Sequence, residues 1–162
     1  MPSVQNPTPP PPPAKADPVD PEGLKAGLAA MTPRISSQME GLAKIEPTPS
    51  SRLFMHPGES RASSIEFKTK GLASLELAPF IQDLGSNKDC ADPQAGIVEL
   101  TWSIDGKKNH LKVDRTYTSV VAVDLAGSSR LKLEVDKGES TLCDWFSVGF
   151  LNVKESGGAK AP

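Results

Sequence analysis

Residues that build reactive centres are scarce in this chain. Its 162 residues include two histidines, two cysteines and one tyrosine, and aromatics make up only 5%. His56, His110, Cys90 and Cys143 fall at no metal-ligand spacing, which excludes a zinc site. There is no glycine-rich phosphate loop. Gly58-Glu59-Ser60-Arg61-Ala62 comes nearest to a nucleophile elbow, but Ala62 replaces its last glycine and no strand–turn–helix pattern surrounds it. The sequence therefore does not read as an enzyme. No apolar run approaches the roughly 18 residues of a membrane span, and Met1-Pro2-Ser3 opens no signal peptide, having neither a basic nor an apolar region. A net charge of −2, with 23% charged residues and no basic stripe interleaved with aromatics, excludes nucleic acid as a partner.

Proline is abundant and unevenly spread. Nine of the sixteen prolines fall between Met1 and Pro21, five of them consecutive from Pro9 to Pro13. Such a stretch cannot bury enough apolar surface to offset its ordering entropy and favours an extended polyproline II spacer. Residues 1–21 are thus expected to be a disordered proline-rich linker, tethering the rest to an anchor or another domain; a proline-recognition ligand is the sharper alternative. Residues 22–50 read as a short helical or irregular lead-in. Leu24, Leu28 and Met31 stand at helical spacing, weakened by Gly23 and Gly27 and stopped by Pro33. Ile35, Met39, Leu42 and Ile45 also fit a helical stripe, although Pro47 and Pro49 close it quickly. That segment reads equally as a linker or as an edge element packed on a sheet.

From Ser51 the pattern changes to short strands separated by turns. Ile65 and Phe67 alternate with polar neighbours, and Leu75 and Leu77 share a face. Val98, Leu100, Trp102 and Ile104 face in while Glu99, Thr101 and Ser103 face out. Asp105-Gly106 is a two-residue hairpin signal returning to Leu111 and Val113. Val121 and Val123 follow, then Leu131, Leu133 and Val135 against Lys132, Glu134 and Asp136. Phe146, Val148 and Phe150 share a face opposite Ser147 and Gly149. Seven or eight strands without βα alternation indicate an all-β, antiparallel β-sandwich over residues 51–154, with 155–162 as a flexible tail. Its expected core is Leu75, Leu77, Val98, Leu100, Trp102, Leu111, Val121, Val123, Leu131, Leu133, Val135 and Phe150.

Three landmarks occur in a telling order. Met55-His56-Pro57-Gly58 precedes the Ser63–Phe67 strand, Gly96–Gly106 reads GIVELTWSIDG, and Arg130–Trp145 reads RLKLEVDKGESTLCDW. This order resembles the NPCBM (novel putative carbohydrate-binding module) family of galactose-binding-like β-sandwiches, over about Ser51 to Val153. The resemblance implies a jelly-roll sandwich that binds carbohydrate without catalysis. Two departures fall at one corner. Only Asp83 matches the family's acidic run after the Phe80-Ile81-Gln82 strand end, and Cys143 stands before Asp144-Trp145 where the family often carries His-Ala.

That corner holds the candidate site. Trp145, Tyr117 and His56 can supply an aromatic or planar surface to a sugar, and Asp144 and Asp83 can orient hydroxyls. The structural alternatives are a corner plug for Trp145 and acceptance of turn N–H groups for Asp144. Cys90 and Cys143 lie on loops that a sandwich brings to one end, where a disulfide would close a loop of about fifty residues; the alternative is a pair of buried thiols in a reducing compartment. No cofactor is expected. Asp83, Asp89 and Asp92 with loop carbonyls could hold Ca²⁺, but their spacing is not that of an EF-hand and a solvated acidic loop is the better reading. Two functions follow. One is a non-catalytic carbohydrate-binding module targeting a larger protein or the cell envelope to a glycan or cell-wall polysaccharide. The other is an interaction or scaffold domain for a protein of a bacterial envelope assembly. Either places the chain in a secreted, periplasmic or envelope setting.

Overall fold

The computed structural model describes residues 19–82, 90, 95–140 and 143–156. The proline run, Asp83, Asp89, Asp92 and residues 157–162 lie outside the described residues. The elements run α1 (Pro21–Met31), a 3-10 turn (Thr32–Arg34), β1 (Ile35–Met39), β2 (Glu46–Pro47), β3 (Leu53–Phe54), β4 (Ser63–Lys68), β5 (Leu72–Ile81), β6 (Val98–Ile104), β7 (Lys107–Val113), β8 (Val121–Asp124), β9 (Arg130–Lys137) and β10 (Phe146–Glu155). They form two five-stranded sheets, ordered β1-β4-β9-β6-β7 and β2-β3-β10-β5-β8. Every pairing is antiparallel. From β4 onward the chain crosses repeatedly from one sheet to the other, returning only for the β6–β7 hairpin. The sandwich is the architecture that the alternation predicts.

Alternation explains which residues fill the space between the sheets. Ile65, Phe67, Leu75, Leu77, Leu100, Leu131, Leu133, Val135, Phe146, Val148 and Phe150 are all buried. Phe67 and Phe150 meet edge to face across the layers, with ring centroids 5.2 Å apart. The β6–β7 turn has positive φ at both Asp105 (49°) and Gly106 (88°), the geometry that a two-residue hairpin requires. Asp105 also accepts from the backbone N–H of Arg130 at 2.9 Å, tying the hairpin tip to the start of β9.

Three expected core residues are only half buried. Trp102, Leu111 and Val121 pack against the core from its margin. Burial along β6 falls from Val98 and Leu100 to Trp102 and Ile104 as the strand approaches its turn. Period-two parity gives the face correctly but not how far the opposite sheet extends over it.

The lead-in segment is built into both layers. Asp20 caps α1 by accepting from Glu22 N–H at 3.1 Å, and Pro21 occupies the first turn. The helix buries Leu24, Gly27 and Met31: Leu24 lies over Gly149 and Gly27 over the Phe150 backbone of β10, while Met31 joins the main core. A Cβ on Gly27 would sit 1.7 Å from Phe150 O, so glycine here permits contact between helix and strand backbones. With its outer face covered, β10 is buried continuously from Phe146 to Phe150 instead of alternating. Of the readings open for Ile35–Ile45, the structure takes the edge element: β1 pairs with β4, Gln38 opposite Ile65 and Met39 opposite Ser64.

Candidate functional site

The disulfide between Cys90 and Cys143 joins the β5–β6 and β9–β10 connections, with Cα atoms 5.7 Å apart. Cys90, Ala95 and Cys143 form a small buried cluster of their own beside the main core. Arg115 reinforces it by donating to Cys90 O at 2.6 Å. Neighbouring connections meet at the same end: Leu42 N–H donates to His56 O at 3.0 Å, and Lys137 Nζ donates to Glu59 Oε2 at 2.8 Å.

The pinned corner feeds directly into an aromatic group. Trp145 is 45% exposed, the one large aromatic side chain so exposed among the described residues. It stands edge to face on Phe54, with ring centroids 6.3 Å apart. Phe54 meets the His56 ring in the same manner at 6.0 Å. The ladder sets Ser147 of β10 between Phe54 of β3 and Phe80 of β5, so both phenylalanines lie on the outer face, half buried. Beneath them Arg52 is fully buried. Its Nε donates to Ala78 O at 3.1 Å and its guanidinium lies 4.8 Å from the centre of the Phe80 ring. Gly149 makes room for this, since a Cβ there would press on Leu24 at 2.3 Å and on Arg52 at 3.1 Å. Trp145, Phe54 and Phe80 thus form an apolar shelf backed by a buried cation, just beyond the strip that α1 covers.

The residues expected from sequence divide into distinct settings. Trp145 and His56 are linked through Phe54, but His56 is only 7% exposed and its Nδ1 donates to Pro57 O at 2.8 Å. It supports the shelf from behind. Tyr117 sits half buried against the core in the β7–β8 connection; burial raises its hydroxyl pKa above the ordinary value. Asp83 lies outside the described residues.

Asp144 departs most from a ligand-facing role. It is fully buried, and Oδ1 accepts from Ile97 N–H at 3.1 Å. Oδ2 is buried and has no hydrogen-bond partner among the described residues. Burial pushes its pKa up to about 7; the N–H groups of Ile97 and Gly96 pull it down, and the charge of Glu59 adds to the rise. Asp144 therefore ties the corner to the β6 entry.

Sequence reading missed Phe54, Phe80 and Arg52. A signal existed for Phe80, because parity from Leu75 and Leu77 puts it on the outer face beside Ser147. Nothing local marked Arg52, whose burial depends on Gly149 across the sheet.

No family model matches the sequence, and no curated protein matches it significantly. The fold is nevertheless an antiparallel β-sandwich similar to that of solved structures containing CBM51 domains. A structure of the M60 catalytic domain with the CBM51-1 and CBM51-2 domains of Clostridium perfringens ZmpB aligns with 75% of this chain at 17% identity and a TM-score of 0.52. The CBM51-2 and INT domains of the same protein align with 75% at 18% identity and a TM-score of 0.51. The latter pair has also been solved in complex with GlcNAc, aligning at 17% identity and a TM-score of 0.51. The alignment spans 14% of the first of those chains and 29% of the other two.

Proposed function

We propose that this chain is a non-catalytic glycan-binding module that directs a larger protein or the cell envelope to a polysaccharide. The observation carrying this reading is Trp145, exposed on a cross-linked corner and braced by Phe54. A sugar offers a C–H face that stacks on an aromatic ring, and such rings lose little conformational entropy when they bind. The Cys90–Cys143 bond holds the shelf in place before ligand arrives, reducing the ordering cost of binding. A shared fold with modules that include one solved with GlcNAc supports the same reading. The disulfide fits an oxidising, secreted or envelope setting.

The competing reading, a docking domain for an envelope protein, is favoured by Met39 and Leu42, which are 51% and 63% exposed. One comparison separates the two. Polysaccharide pull-down and isothermal titration against GlcNAc- and galactose-containing oligosaccharides should show binding by the parent protein and none by Trp145→Ala. Unchanged binding by Trp145→Ala would remove the shelf from the account, and an absence of binding by the parent would favour the docking reading.

A further inference from the structure

A recess lies on the outer face of the β2-β3-β10-β5-β8 sheet, toward the end away from the corner. It is about 370 Å³ in volume and is lined by Ser74, Glu76, Ala122, Asp124, Asn152 and Lys154, and it is bordered by Leu75 and Val123, whose side chains are buried in the core. It shares no residue with the aromatic shelf.

The chain departs from regular strand geometry to build this recess. Leu151 lies opposite Glu76 and Lys154 opposite Ser74, so β10 spends three steps where β5 spends two. Regular alternation from Phe150 would turn Asn152 and Lys154 toward the core and Val153 toward water. The extra residue reverses this: Val153 packs on the core, and Asn152 and Lys154 line the recess. Asn152 takes up the deviation at φ 48°, in the left-handed region, and its Nδ2 donates to Glu76 Oε1.

The chemistry of the lining narrows the ligand. Glu76 and Asp124 are acceptors, whereas Lys154 and the Asn152 amide are donors. A bare anion would meet two carboxylates and a bare cation would meet an ammonium. Asp124 spends Oδ1 on Ala126 N–H at 3.0 Å, which leaves Oδ2 toward solvent. Lys154 is in no ion pair among the described residues. The recess on the other sheet pairs four of its charges internally: Arg130 lies 3.4 Å from Glu66 and Lys132 lies 3.9 Å from Glu134. Mixed donors and acceptors suit a neutral ring carrying several hydroxyls.

We propose that the recess formed by Glu76, Asp124, Asn152 and Lys154 is a second carbohydrate subsite, taking one neutral, hydroxyl-rich sugar unit by hydrogen bonding without an aromatic platform. Its existence does not depend on the shelf.

The test is amide and indole NMR of the full chain titrated separately with galactose and with N-acetylglucosamine. Saturable shifts at residues 74–76, 122–124 and 152–154 are expected with at least one sugar, and they should persist in Trp145→Ala. Asn152→Gly keeps a residue suited to positive φ while deleting the amide, and together with Glu76→Ala it should weaken this binding about tenfold or more. Three results would overturn the subsite: no saturable shift at these amides with either sugar, shifts that vanish in Trp145→Ala, or affinity unchanged in both recess variants. If the Trp145 indole stays still while the recess amides move, the shelf fails and the subsite stands. The opposite pattern preserves the shelf and removes the subsite.

Discussion

The sandwich interior and the corner that carries Trp145 are held by different forces. Inside, apolar side chains from both sheets interlock, with Phe67 on Phe150 and α1 lying directly on β10 through Gly27. At the corner, three small buried residues, one covalent bond and one buried carboxyl hold together connections that have little apolar surface to share. The interior resists change because each side chain has many close neighbours. The corner depends on a few contacts of large individual weight, which leaves it free to expose an aromatic ring. A sandwich that must present a surface gains from separating these tasks.

The largest expected effect comes from the interior. Phe150→Ala removes a fully buried ring that packs on Phe67 and lies beneath α1. It should cost about 3–5 kcal/mol in chemical denaturation, through lost transfer energy and the cavity left behind. A cost under about 1 kcal/mol would mean that the interior is as loosely coupled as the corner, and the contrast would fail.

Much of that interior was legible in the sequence because burial on one face only leaves a period of two. β4, β5, β6, β9 and β10 were all visible this way, as was the Asp105-Gly106 turn. Legibility ended wherever the second face mattered. Gly27 reads as a weak point in a helix, yet its missing side chain lets α1 meet β10. Ile35–Met39 carries no period-two signal because it is an edge strand whose pairing slips between Ile35 and Ser37. The bulge at Asn152 is hidden inside an apparently regular apolar run. The corner was legible in outline from Cys90, Cys143 and Trp145. The shelf was not, since Phe54, Phe80 and Arg52 come together only across three strands.

The corner should show a smaller and more local response. Cys90 and Cys143 are separated by 53 positions, and opening a loop of that length corresponds to about 4 kcal/mol in the chain-entropy model, an upper figure where the reduced chain keeps some structure. Hydrogen exchange after reduction should quicken at residues 95–97 and 143–146 while the centres of β6 and β9 stay protected. Uniform loss of protection would show that the bond supports the whole sandwich and that corner and interior unfold as one.

The most local effects should come from protons at Asp144. The carboxyl has an ordinary value of 3.8 when exposed and about 7 in the folded chain. Between those values the unfolded chain has lost the proton that the folded chain keeps. The folded state then binds more protons, so this group's contribution to stability falls as pH rises from about 4 to about 7 and levels off above that. Asp144→Asn, which keeps an oxygen for Ile97 N–H, should flatten the change in melting temperature between pH 5 and pH 8. Glu59→Gln refines the point. It removes the Lys137 ion pair, which stands in water and holds little stability, and it deletes a negative charge that raises the Asp144 pKa. In a carboxyl-carbon NMR titration the Asp144 midpoint should therefore move down while the melting temperature barely changes. A midpoint that stays put would mean that burial and the Ile97 and Gly96 N–H groups set the proton affinity of Asp144 without Glu59, leaving its carboxyl electrostatically isolated from the β3–β4 connection beside it.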